Sequence, residues 1–239
     1  KNDLRPNQLI GNLAVGCNFG PEGPRAGGKK KQAEGGMEVG NGLFWFSGWT
    51  ISGSKVAVDE THRFGPLLFN HYTLSRGILK MTVQMPPLGE ADNREVRLEV
   101  EDGPGWKVIS TAQIHSQART ATFRITGWDD GQDIPYRLSY VLKTRSGSHT
   151  HHLNGTVRRD PVSPNLLKVA DVSCNIHTAF PNAPYVAAVA KLDPDLLAFV
   201  GDQFYESTAG YGVQRDPLEP AILDYLRKWY FHGWTWRDL

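Results

Sequence analysis

Two short apolar runs flank a helical pattern late in the chain, and this arrangement constrains the fold more than any other stretch. The first run, residues 166–175 (Leu-Leu-Lys-Val-Ala-Asp-Val-Ser-Cys-Asn), is β-prone and closes on Cys174 and Asn175. The second, Leu196 to Val200, ends in Gly201 and is followed at once by Asp202, with Tyr205 three residues further on. Apolar runs of this length, bounded by turn residues, read as buried strands. Between them, Asn182 is placed to cap a helix whose apolar stripe is Val186, Val189 and Ala190. Asp193-Pro194 ends that helix, because proline disfavours a helical residue before it. Strand, helix, strand is the layout of a parallel βαβ unit.

Ligands and catalytic groups of open α/β sheets gather at the carboxyl ends of parallel strands. A thiol, an amide, a carboxylate and a phenol would then lie along one edge, from Cys174, Asn175, Asp202 and Tyr205. Such a set suits a metal better than a core. The plainer alternative makes Asp202 the cap of the following turn and Tyr205 a packing residue.

The first 158 residues read differently. Leu43 to Phe46, Thr50-Ile51, Ile78 to Val83, Val96 to Val100, Trp106 to Ile109, Ala121 to Ile125 and Tyr136 to Leu142 are strand candidates, several with alternating apolar and charged positions. Asp102-Gly103-Pro104-Gly105 and Asp129-Asp130-Gly131 are turns between them. Strands at this spacing indicate an antiparallel sandwich. The strand pattern gives way at Arg158 to Asn165, where Pro161 and Pro164 stiffen a linker. The expected organisation is a β-sandwich at 1–158, a linker at 159–165, and the start of an α/β domain at 166–239.

Composition narrows the classes. With 239 residues, 40% of them hydrophobic and 21% charged, the chain can bury a core. A net charge of +1 gives no reason to expect nucleic acid or a membrane surface as partner. No apolar stretch approaches the roughly 18 residues of a membrane span, so none is expected. Two cysteines, Cys17 and Cys174, leave a disulfide open as an alternative that would remove Cys174 as a ligand. His149, His151 and His152 fall in a Ser/Gly/Thr/His stretch that reads as a solvated hairpin turn more readily than as a metal tract. Lys29 to Lys31 reads as a solvated loop, and Asn154-Gly155-Thr156 matches a glycosylation acceptor. Near the C-terminus, Ile222, Leu223, Leu226, Trp229 and Tyr230 form a core-facing helical stripe.

Gly201-Asp202-Gln203-Phe204-Tyr205-Glu206, preceded by Ser173-Cys174-Asn175, resembles the opening of the PhoD-like alkaline phosphatases, a family of calcineurin-type metallophosphoesterases. Tyr211-Gly212-Val213, Leu223 to Tyr230, and Ile134 to Arg137 ahead of Arg158 to Pro161 are similar to bacterial members as well. The resemblance covers roughly residues 78–239 and is sharpest in the Asp-x-x-Tyr pair at 202 and 205. It implies an extracytoplasmic or secreted enzyme with an Fe³⁺ and Ca²⁺ centre, and it assigns Asp202, Tyr205 and Cys174 as metal ligands. Thiolate and phenolate donors favour Fe³⁺ and hard oxygen donors favour Ca²⁺, but these identities come from the resemblance, and the residues alone fit Zn²⁺ or Mn²⁺ as well. The implied reaction is hydrolysis of a phosphate mono- or diester, in which a metal acidifies the attacking water.

The family's further ligands, in an Asp-Asp-His-Asp-like segment and beyond, have no counterpart before Leu239, and the chain opens at Lys1 without a methionine. We therefore expect an N-terminal portion of a longer polypeptide, which turns over no substrate by itself and which packs against a further segment or exposes apolar surface around Leu196, Phe199 and Trp229. A second reading, from another class, makes the sandwich a module binding carbohydrate or a protein surface through Trp45, Trp49, Trp106 and Trp128, with a degenerate phosphatase-like scaffold behind it.

Overall fold

The computed structural model describes residues 47–54, 56–57, 64–161, 166–208 and 213–239. Residues 59–239 form one compact unit, distinct from residues 1–58. In the shorter unit, Thr50 and Ile51 lie outside any strand and are exposed, so the β-strand expected there does not form. Leu43 to Phe46, Cys17 and Lys29 to Lys31 lie outside the described residues, as do Pro164 and Asn165 of the linker.

Seven strands build the sandwich: β1 (Phe69–Ser75), β2 (Ile78–Gln84), β3 (Glu95–Asp102), β4 (Gly105–Gln113), β5 (Thr120–Thr126), β6 (Ile134–Thr144) and β7 (Gly147–Val157). One sheet has the order β1-β2-β5 and the other β4-β3-β6-β7, with every pairing antiparallel. The alternation that marked these strands has a direct cause: every second side chain faces the opposite sheet. In β2, Leu79, Met81 and Val83 point inward while Lys80 and Thr82 are exposed; in β5, Ala121 and Phe123 point inward and Thr122 and Arg124 outward. These residues meet Val96, Leu98, Tyr136, Leu138 and Tyr140 of the other sheet in one core, with Trp128 at its side.

On the outer face of the larger sheet, Glu99 is buried beneath Arg137, its register partner and ion-pair partner. The Arg137 guanidinium also covers the Trp106 ring at 4.8 Å. His149, His151 and His152 occupy β7 itself, not a turn; the hairpin turn falls at Arg145-Ser146. Strand β7 is an edge, exposed along most of one side, so it carries polar residues and lacks the apolar alternation that betrays a buried strand.

The α/β part follows as β8 (Val169–Val172), a 3-10 turn (His177–Ala179), α1 (Ala183–Leu192) and β9 (Leu196–Phe199). Strands β8 and β9 pair in parallel, Val169 with Leu196 through Val172 with Phe199, and α1 is the crossover. Asn182 does sit at the start of α1, but in the left-handed region; its side-chain amide donates to Asn175 Oδ1 at 3.3 Å and caps no helix amide. Val189 is buried and Val186 partly so, whereas Ala190 is exposed, so the stripe is narrower than the spacing suggested. Asp193 closes the helix as expected.

The last element, α2 (Leu218–Trp236), joins the two parts. Tyr230 packs on Leu68 and Phe69 beside β1, and its hydroxyl donates to the Met85 carbonyl at 3.0 Å. Trp236 packs on Phe199 of β9, with Val172 and Val189 in the same cluster. Of the expected stripe, Tyr230 is buried, Ile222, Leu226 and Trp229 are half-buried, and Leu223 is exposed. No helix among the described residues is long and apolar enough to cross a membrane.

Candidate functional site

The parallel ladder continues past its last paired residues and brings two turns together. The Val200 amide donates to the Val172 carbonyl at 3.1 Å, and the Cys174 amide to the Gly201 carbonyl at 3.3 Å. Gln203 locks this edge, its side-chain amide donating to the carbonyls of Val172 (3.0 Å) and Gly201 (2.7 Å). Gly201 has φ of 121°, a conformation that side chains rarely adopt. Cys174 and Asp202 lie in the left-handed region at φ of 55° and 57°. Non-glycine residues are uncommon there, and such strain concentrates at functional sites.

These turns bring Cys174, Asp202 and Tyr205 to one place. Cys174 Sγ lies 3.6 Å from Asp202 Oδ2, and the Tyr205 phenol is near enough to both side chains for them to oppose its ionisation. Cys174 is an exposed free thiol, with Ser173 Oγ 3.4 Å from its sulfur. Partial desolvation raises the Tyr205 phenol above its ordinary range, and the facing Asp202 carboxylate and Cys174 thiol add to the rise. The electrostatic part is simple: a carboxylate and a thiol face the phenol, and a phenolate would add a further negative charge beside them. A cation among them would reverse that balance.

As donors the three offer sulfur, carboxylate oxygen and phenolic oxygen on a face open to solvent, a set that fits a metal ion. Asn175, also expected at this edge, instead pairs with Asn182. Among the described residues, no group of three or more His, Cys, Asp or Glu side chains is disposed around a single point, and the candidate set here is completed by a phenol. The histidines of β7 make no such group; His152 Nδ1 is 2.8 Å from Ser139 Oγ.

Against Glu206, the residue after Tyr205, lies a polar cluster that the sequence did not reveal. Lys228 of α2 is wholly buried, its Nζ 2.6 Å from Asp224 Oδ2, which is itself buried. Arg227 reaches the other Asp224 oxygen at 3.0 Å. Burial alone would raise the Asp224 carboxyl, but the Lys228 and Arg227 contacts outweigh it and hold it below the usual range. Lys228 also donates to the Glu206 backbone carbonyl, and the Tyr225 hydroxyl donates to the Glu206 carboxylate. His177, buried in the turn after Cys174, meets Phe204 edge-on at 6.4 Å. The available signal was positional: Asp224 and Lys228 stand at i and i+4, and with Ala221 they fall on the buried line of the helix.

No family model matches the chain, and no curated protein matches it at a significant level.

Proposed function

We propose that this chain contributes part of the metal centre of a PhoD-like phosphoesterase, acting on phosphate mono- or diesters outside the cytoplasm. The observation that carries the reading is the meeting of Cys174, Asp202 and Tyr205 at the carboxyl ends of β8 and β9. Parallel strands place their loops on one side, which is why groups 28 positions apart converge. In this reading Cys174, Asp202 and Tyr205 would hold an Fe³⁺ and Ca²⁺ centre, the thiolate and phenolate suiting iron and the carboxylate suiting either ion. When bound, such a metal pair supplies an electrophile that acidifies water and polarises phosphoryl oxygens. The chain's own residues fix the donors: Gln203 holds the two strand ends in register, and the left-handed turns at 174 and 202 aim thiol and carboxylate at each other.

The test is spectroscopic. Protein loaded with Fe³⁺ should show a visible tyrosinate-to-iron absorption band, and Tyr205→Phe should abolish it without altering the far-UV dichroism. In the full-length protein, Asp202→Asn should lower hydrolysis of a chromogenic phosphate ester by several orders of magnitude. Absence of any iron-dependent band in the unsubstituted protein would sink the reading.

Of the four tryptophans that the binding-module alternative uses, two are engaged within the sandwich. Trp128 lies in the sandwich core and the Trp106 ring is covered by Arg137, while Trp45 lies outside the described residues. Trp49 is exposed, in the shorter unit.

A further inference from the structure

We infer that Lys228, held by Asp224, is a positioning residue that anchors the Asp202–Glu206 loop to α2 and so fixes Asp202 and Tyr205 against Cys174. Three observations carry this. First, Lys228 and Asp224 are an ion pair taken almost completely out of water, at 0% and 3% side-chain exposure. Removing two charges from solvent is costly, and replacing such a pair by apolar residues is often neutral or stabilising, so fold stability alone is a poor reason to have one. Second, the ammonium spends a remaining donor on the backbone carbonyl of Glu206, the residue next to Tyr205. A fully buried lysine that ties down a loop carbonyl acts on the loop's path, not on its surface charge. Third, the neighbouring helix positions serve the same segment: Tyr225 binds the Glu206 carboxylate, and its ring meets Phe204 at 6.0 Å. One face of α2 thus grips the loop at Phe204 and at both ends of Glu206.

What the loop is positioned for rests on the metal reading above, but the positioning itself is measurable without metal. Lys228→Met alone would strand a buried carboxylate, so the informative variant is Asp224→Leu/Lys228→Met, which swaps the pair for apolar side chains. In a Cys17→Ser background, the Cys174 thiol reports whether the Asp202 loop stays against it. The double variant should keep its melting temperature within a few degrees. It should react with a disulfide reagent roughly five- to tenfold faster than its parent, because the carboxylate that flanks the exposed sulfur at 3.6 Å would move away with the loop. An unchanged thiol rate in the folded variant would overturn the proposal. So would collapse of the melting transition, because the pair would then be carrying the fold and not the loop. Titration of Fe³⁺ into both proteins separates the two readings. Weaker uptake by the variant joins them, whereas no uptake by the parent removes the metal reading and leaves the thiol result to decide the positioning.

Discussion

At position 233 the side chain is a single hydrogen, and α2 lies against the sandwich because of it. A Cβ placed on Gly233 would run into the ring of Phe69, which is itself buried at the start of β1. The glycine costs the helix about 1 kcal/mol in propensity relative to alanine, so the close approach must return more than that. Gly233→Ala should therefore destabilise the protein by about 1–3 kcal/mol, as overpacking does, despite the better helix former. Urea unfolding measures it, and a stabilised variant would show that the ring has room to turn. Gly155 repeats the device across a strand pair, where the Tyr136 ring lies over it. Legibility at this scale divided by chemistry. Cys174, Asp202 and Tyr205 could be picked out because strand ends, glycine turns and donor atoms are local properties. Asp224 and Lys228 could not, since a charged residue on a helix reads as solvated until its neighbours are known. Glycines 155 and 233 were opaque for a related reason: the ring that needs the space comes from 19 or more positions away.

Among the elements, α2 carries the acid sensitivity. His232 is buried between Phe199 and Trp229, each ring 4.9 Å away, and burial followed by the nearby His71 pushes its pKa down to about 4. Burial lowers His71 too. Between about pH 4 and the ordinary 6.5, the unfolded chain binds the proton that folded His232 refuses. Stability is thus complete above pH 6.5 and falls as the pH drops toward 4, by roughly 3 kcal/mol from this residue. Urea midpoints across that range should show the slope, and His232→Phe should flatten it. An equal slope in the variant would assign the effect elsewhere. The elements themselves were unevenly visible. Strands β2, β3 and β5 announce themselves by alternation and α1 by its flanking Asn and Asp-Pro. Strand β1, with Asn70, His71 and Tyr72 in sequence, does not, because its faces meet both the core and α2 and so show no alternation; β7, with its histidines, does not, because an edge strand need bury little.

For the molecule as a whole, the two sheets differ in how they are protected. The sandwich encloses a continuous core between seven antiparallel strands. The parallel sheet has two strands, and Leu166, Leu167, Val169, Leu192, Leu196 and Val200 around it are exposed. Parallel strands are normally covered on both faces, so this sheet is less enclosed than the core strands of the sandwich. Phe199 and Trp229, expected in the same exposed surface, are instead half-buried, Phe199 against Trp236 of α2 and Trp229, itself on α2, against Phe69 of β1. Amide hydrogen exchange should therefore be faster by orders of magnitude in β8 and β9 than in β2, β3 and β6. Equal protection would mean that the parallel pair unfolds only with the sandwich.

The span of α2 also bears on how such a chain can diversify. One rigid rod of 19 residues touches Met85 and Phe69 at the sandwich and Phe199 at the strand ends. Exchange of the sandwich for an unrelated one, by recombination or by design, would leave Tyr230 and Gly233 facing a foreign surface and would tilt the rod. The two parts should thus change as a matched set, with substitutions at Phe69 answered by substitutions at Gly233.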